Sequence, residues 1–116
     1  VDVVCEKMVT GQTFFPTEKT ARPLATKTPF LIMAAPNYIK NLKRLNFRSF
    51  NRWWSEEYDQ QQGVQRVQSI QRIIDDLAKL DRKQLEDMYQ QMQPILEYNY
   101  KTYMETTPEK ILSTFN

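Results

Sequence analysis

The residues with the strongest chemical character form one basic and aromatic segment, residues 38–54. Its five cations are Lys40, Lys43, Arg44, Arg48 and Arg52, and two tryptophans, Trp53 and Trp54, close it. Such cations bind phosphates, and aromatic rings stack on unpaired bases, so the segment suggests an RNA-binding site. It also suits an anionic membrane surface, with both tryptophans at the headgroups. We favour a simpler interpretation, in which the apolar residues form core and the cations form a solvated helix face.

Few other residues can do chemistry. The sequence has no histidine, which excludes imidazole bases, Ser-His and Cys-His pairs, and histidine metal ligands. Its two glycines, Gly11 and Gly63, are isolated, so no glycine-rich loop can cradle a phosphate. The single cysteine, Cys5, has only Lys7 nearby to activate it, and we expect an inert thiol.

Three pairs of adjacent carboxylates are poor candidates for acid–base catalysis. They are Glu56–Glu57, Asp75–Asp76 and Glu86–Asp87. Neighbours in a helix point about 100° apart and do not face each other. We therefore expect solvated helix surface, and a protein that is not an enzyme and has no cofactor and no metal.

Length and composition predict a single domain. The chain has 116 residues, of which 41% are hydrophobic. The longest apolar run covers residues 30–35, far short of a membrane span. One cysteine cannot form an internal disulfide, so nothing points to an oxidising compartment, and we expect an intracellular protein.

Charge is unevenly distributed along the chain. Residues 1–54 hold nine Lys/Arg against three acids, and residues 55–116 hold seven against eleven. This asymmetry suits an oriented contact with charged partners, or a contact between the two halves. The chain does not begin with methionine, which fits a cleaved mitochondrial presequence and equally a trimmed N-terminus.

The elements that position these residues begin with an irregular leader. Residues 10–29 contain six threonines and three prolines, a composition that opposes regular helix. We expect residues 1–36 to form an extended arm. Its apolar islands are Phe14, Phe15, Phe30 and Leu31, which we interpret as anchors in grooves of the protein's own helices or of a neighbour.

Helical periodicity begins at Asn37. Ile39, Leu42 and Leu45 share a face, and a second short helix is predicted from Ser49 to about Gln62, with Gly63 as its C-terminal cap.

The strongest pattern follows Gly63. Apolar residues recur at steps of three and four from Val64 to Leu80, which predicts an amphipathic helix of about 17 residues with Arg66 on its polar face. Asp81 is the expected N-cap of a long helix that Pro94 should kink or break, and Thr107 is the expected cap of a short last helix. The helix from Val64 to Leu80 and the long helix after Asp81 should pair as an antiparallel hairpin. Ile70, Ile74 and Leu77 of the first should pack against Leu85, Met88, Met92 and Ile95 of the second.

The combined prediction is an all-α protein with an extended arm, residues 1–36, and a helical domain, residues 37–116. The missing catalytic residues, the anchored arm and the aromatic surface indicate a non-catalytic accessory subunit of a large assembly, with a mitochondrial complex as one setting. Its expected contacts with other protein subunits are Phe14, Phe15, Phe30, Leu31, Trp53, Trp54 and Tyr98. The alternative is an RNA-binding accessory protein of the ribosomal type that uses the five cations of residues 38–54.

Overall fold

The computed structural model describes residues 1–5, 18–34 and 36–115. Its elements are β1 (Asp2–Cys5), α1 (Glu18–Ala25), β2 (Phe30–Met33), α2 (Tyr38–Arg44), a 3-10 helix (Glu57–Gln60), α3 (Gly63–Ala78), α4 (Arg82–Glu105) and α5 (Pro108–Phe115). The described chain is mostly helical, as predicted, but it is not all-α, because two strands form a small parallel sheet. The sequence predictions for Phe14 and Phe15 lie outside the described residues.

The strands correct the predicted extended arm. β1 pairs in parallel with β2, so that Asp2 lies opposite Phe30 and Cys5 opposite Met33. Parallel strands need a crossover connection, and α1 lies within it. The Phe-Leu-Ile-Met run therefore forms a strand of this protein's own core, where Phe30, Leu31 and Ile32 are fully buried.

Helix α1 forms although Pro23 lies inside it. A proline removes one backbone donor, which is why sequence alone predicted no helix here. Tertiary contacts offset that cost: Pro23 and Leu24 are buried, and the buried Thr20 hydroxyl lies 2.8 Å from the Tyr38 hydroxyl of α2.

One apolar core joins residues on both sides of the predicted boundary at residue 36. It contains Leu31 and Ile32 of β2, Leu42 of α2, and Met92 and Leu96 of α4. Phe50 meets the Phe30 ring edge to face, with 5.2 Å between centroids, and Trp54 lies 5.8 Å from Phe50. Such aromatic pairs add to the stability that burial supplies.

The predicted helix from Ser49 to Gln62 is wrong. Residues 51–54 form a turn, in which Trp53 donates its backbone N–H to the Phe50 carbonyl, and only Glu57–Gln60 is helical, in the 3-10 form. Gly63 also differs from its predicted role as a C-terminal cap. It begins α3 with a φ of 56°, a conformation that glycine adopts without strain.

Helix α3 confirms the predicted position, and its apolar residues from Ile70 to Leu77 pack in or against the core, but its first turns depart from the predicted face. Ile70 is buried, yet Val64 is 71% exposed, and Arg66 and Ser69 are buried instead of solvated. The cause is hydrogen bonding by Arg66, which donates to carbonyls of β2 and the 3-10 helix. Because Arg66 therefore faces the interior, the valines of the first turns of α3 face solvent.

The caps of the last two helices are confirmed. Asp81 and Gln84 form a reciprocal capping box at the start of α4, and Thr107 accepts from the Lys110 amide at the start of α5. Pro94 does not break α4, which continues from Arg82 to Glu105.

Six of the seven residues predicted to pack in the hairpin, all except Leu85, lie in or against the one apolar core. Helix α3 packs against β2 and the 3-10 helix, whereas α4 packs against α1. A cleft of about 340 Å³ lies between Leu77 of α3 and Met88 of α4, and Leu85 is exposed. No helix of the described residues is long and apolar enough to span a bilayer.

Candidate partner-binding surfaces

Helix α2 presents the first three cations of the basic segment. Tyr38, Ile39 and Leu42 are buried, while Lys40, Lys43 and Arg44 are exposed. Arg44 donates to the backbone carbonyl of Thr114 in α5 at 2.9 Å. The amphipathic interpretation of this helix therefore agrees with the observed burial.

Arg48 and Arg52 lie beyond α2 and rest on aromatic rings. The Arg48 guanidinium is 4.1 Å from the centroid of Tyr98, and that of Arg52 is 5.6 Å from Trp53. A ring face covered by a guanidinium is not open to a base. The arrangement therefore offers cations to a polyanion but little free aromatic surface for stacking.

Asn99 holds the Arg48 backbone in place, and sequence analysis missed it. Its side-chain oxygen accepts from the Arg48 N–H at 2.8 Å, and its amide donates to the Arg48 carbonyl at 2.9 Å. Asn99 is buried in the second half of α4. Its place between Tyr98 and Tyr100, on a helix with an apolar stripe, was the one signal in the sequence, because a buried amide must find partners.

A buried polar cluster anchors the segment between α2 and α3. The carboxylate of Asp59 accepts from the Ile39 amide at 2.8 Å and from the Lys40 amide at 3.1 Å. It therefore caps α2 from 20 residues away, since the local N-cap residue, Asn37, makes no side-chain cap hydrogen bond. Both Asp59 oxygens are occupied, which argues against an acid–base role.

Arg66 is the centre of this cluster. It is 3% exposed and donates to the carbonyls of Tyr58 at 2.5 Å and Ile32 at 2.9 Å. The Asp59 carboxylate lies 4.0 Å away. Burial lowers the pKa of Arg66, and Asp59 opposes that shift. The guanidinium thus links α3 to β2 and to the 3-10 helix.

Glu56 and Tyr58 line the same region and have perturbed pKa values. Burial raises the pKa of Glu56, although Ser49, the Phe50 amide and Lys43 oppose the shift. Burial also raises the pKa of Tyr58, and the nearby Glu56 charge adds to it. Perturbed groups of this kind occur in structural networks as well as in active sites, and the occupied Asp59 indicates the former.

Two concavities flank the first turns of α4. The cleft between α3 and α4 is lined by Trp53, Trp54 and Met88 together with polar residues such as Arg72 and Asp76. On the other flank, a groove of about 560 Å³ lies between α4 and the residues that precede the two strands, lined mainly by Val1, Pro29, Leu85, Met88 and Tyr89. We call this second concavity the Val1–α4 groove.

The described residues change the predicted set of partner contacts. Phe30, Leu31 and Trp54 are buried in the protein's own core, so their side chains offer almost no surface to a partner. Trp53 and Tyr98 are half-buried and remain available in part. The large exposed apolar side chains are instead Val1, Val3, Val64, Val67, Leu85, Tyr89 and Met104.

Neither a metal site nor a known relative assigns a function. Among the described residues, no group of three or more Asp, Glu or Cys side chains lies close enough to hold a metal ion. Comparison with known proteins finds no match to this chain among family models, curated sequences or solved structures.

Proposed function

We propose that this chain is a non-catalytic accessory subunit of a larger intracellular assembly, such as a mitochondrial complex, and that it binds other protein subunits. The observation that supports this most is the unequal burial of the two strands of the sheet. β2 is buried on both faces, as strands within parallel sheets are, while Val3 of β1 is exposed and Val1, just before β1, is exposed in the groove against α4. Exposed apolar surface of this kind marks interaction sites.

The composition supports the non-catalytic part of the proposal. The sequence has no histidine, and the buried carboxylate of Asp59 caps a helix. Arg66 likewise uses its donors on backbone carbonyls. The hydrogen bonds of these two buried groups therefore connect elements of the fold.

The native mass of the protein tests this proposal. We expect the tagged chain, expressed in its own cells, to elute in a stable particle far larger than its own 13.9 kDa. Recovery of the same partners in the same ratio after two purification steps supports the subunit role. A monomer at every step contradicts it.

A second candidate function is RNA binding through α2. The observation in its favour is that Lys40, Lys43 and Arg44 are all exposed on one short helix. Cations that neutralise phosphates give binding that weakens steeply as salt is added, and the slope grows with the number of phosphates neutralised. The covered rings of Trp53 and Tyr98 argue against base stacking, so binding should not depend on sequence.

The matched pair for this test is Lys40→Ala/Lys43→Ala against Lys83→Ala/Lys101→Ala. The second pair removes two exposed cations from α4. Loss of binding to a single-stranded RNA in the α2 variant alone would support the candidate. Equal binding by both variants, or no binding by the unchanged protein, would reject it. Binding to anionic vesicles in place of RNA would assign α2 to a membrane surface.

A further inference from the structure

We propose that the outer edge of β1 accepts an extended apolar segment of a partner subunit as a third strand. This inference rests on the proposed function and names the surface and the chemistry of the contact. It follows from the hydrogen-bonding direction of β1, from the closure of the opposite edge, and from the groove beside Val1.

The hydrogen-bonding direction identifies the open edge. The Asp2 N–H donates to the Pro29 carbonyl at 2.9 Å, so the peptide groups of Asp2 face β2. Backbone groups alternate along a strand, and therefore those of Val3 face away from β2. No described residue pairs with that side of β1.

The opposite edge of the sheet is closed. The Ile32 carbonyl accepts from Arg66 Nη2 at 2.9 Å, and α3 packs against β2. A further strand cannot pair there without displacing Arg66. Among the described elements, the sheet can therefore grow only beside β1.

The side chains indicate an apolar strand. Val3 is 43% exposed, whereas its partner Leu31 on β2 is 0% exposed, so on the face that these two residues share, cover is missing at β1, although Val4 on the other face is buried. Parallel strands are covered on both faces in stable folds. An added strand would bury Val3 and pair its backbone, and only an extended main chain satisfies an alternating row of donors and acceptors.

The groove favours an uncharged occupant. Its two charged residues, Arg82 and Glu86, pair with each other at 3.0 Å. Around them lie Val1, Leu85 and Tyr89, whose large side chains are exposed. Neither charged side chain of the groove is therefore unpaired, and apolar side chains next to the added strand would fill it.

The variant Val3→Pro tests the proposal in the native particle. Proline removes the outward N–H and blocks pairing at a strand edge, while the inward hydrogen bonds of Asp2 stay intact. We expect the fraction of chain in the particle to fall about tenfold, because one intermolecular hydrogen bond disappears and the fit worsens. Leu85→Lys, in the groove, should act in the same direction without touching the β1 backbone.

The matched control is Val67→Glu, which changes a similarly exposed valine on α3. It should enter the particle normally. If Val3→Pro does not fold, Leu85→Lys still decides. A particle that forms normally with both test variants overturns the strand proposal but leaves the subunit role intact, whereas a monomeric unchanged protein removes the subunit role itself. A particle made of two copies of this chain alone assigns the edge to a second copy and also overturns the proposal.

Discussion

The two strands of the small sheet have opposite surroundings. β2 is covered on both faces and its Ile32 carbonyl accepts from Arg66, whereas no described residue pairs with the outer edge of β1 and its Val3 is 43% exposed. β2 (Phe-Leu-Ile-Met) has four large apolar side chains, whereas β1 (Asp-Val-Val-Cys) has a charged residue and smaller side chains. The packing differs as well, because the polar cluster of Asp59 and Arg66 joins α3 to the outer edge of β2, while β1 is packed by α1. We infer that the β2 side supplies stability and the β1 side supplies binding.

The largest contrast should come from the cross-strand pair Leu31 and Val3, which lie opposite each other in the ladder. Leu31→Ala should lower the free energy of unfolding by about 3–4 kcal/mol, since it leaves a cavity in a closed core. Val3→Ala, which shortens a half-exposed side chain, should cost less than about 1 kcal/mol. Urea denaturation of both variants measures this, and equal destabilisation would show that the two sides do not differ.

Arg66→Met should cost about 2–3 kcal/mol, because the carbonyls of Tyr58 and Ile32 lose a buried donor. The control is Arg72→Met, an exposed arginine on the same helix, which should change the unfolding free energy by less than about 0.5 kcal/mol. Thermal and urea unfolding compare the pair. A neutral Arg66 variant would mean that apolar packing alone holds α3 on β2.

Asp59→Ala should cost about 2 kcal/mol, since two amides at the start of α2 lose their acceptor. The control Asp87→Ala removes an exposed carboxylate from α4. Amide exchange at Ile39 and Lys40 should accelerate in the first variant only. Unchanged exchange at both amides would contradict the capping role.

The smallest effect concerns pH. Burial raises the pKa of Glu56 in the folded protein above its ordinary value of 4.5, so the folded state holds this proton more tightly than the unfolded state. The resulting stability is complete below pH 4.5 and is lost as pH rises through the folded-state pKa. Glu56→Gln should therefore gain stability relative to the unchanged protein as pH increases from 4.5 to about 7.

Urea unfolding across that pH range measures the difference, with Glu57→Gln correcting for the general loss of one carboxylate. After this correction, the difference in unfolding free energy between the Glu56 variant and the unchanged protein should change with pH. A difference that stays constant would contradict the burial of Glu56.

Local signals predicted the later helices well. The caps at Asp81 and Thr107 and the position of α3 follow from residues within one or two turns of each other. Such local physics is readable without the fold. The helical majority of the protein was therefore accessible from sequence.

Long-range contacts decided the rest. β2 is extended because β1 lies beside it, and α1 tolerates Pro23 because that residue is buried. Arg66 occupies a core position because its acceptors come from 34 residues earlier and from the 3-10 helix. Periodicity alone assigned it to solvent, since an apolar pattern carries no information on where a buried cation will find partners.

The exposed side of β1 could not be predicted from the sequence for the same reason. The exposed side of β1 follows from the register with β2, which no local pattern reveals. Of the predicted contacts, only Trp53 and Tyr98 keep described side-chain surface. Aromatic content identified large apolar residues, but burial depends on packing that the sequence does not show.

Amide hydrogen exchange at Val3 tests the central claim most directly, with Val4 as the internal reference because its N–H faces β2. In the isolated chain, Val3 should exchange much faster than Val4. In the native particle, Val3 should slow to a rate similar to that of Val4. A Val3 amide that exchanges equally fast in both states would contradict strand addition at β1.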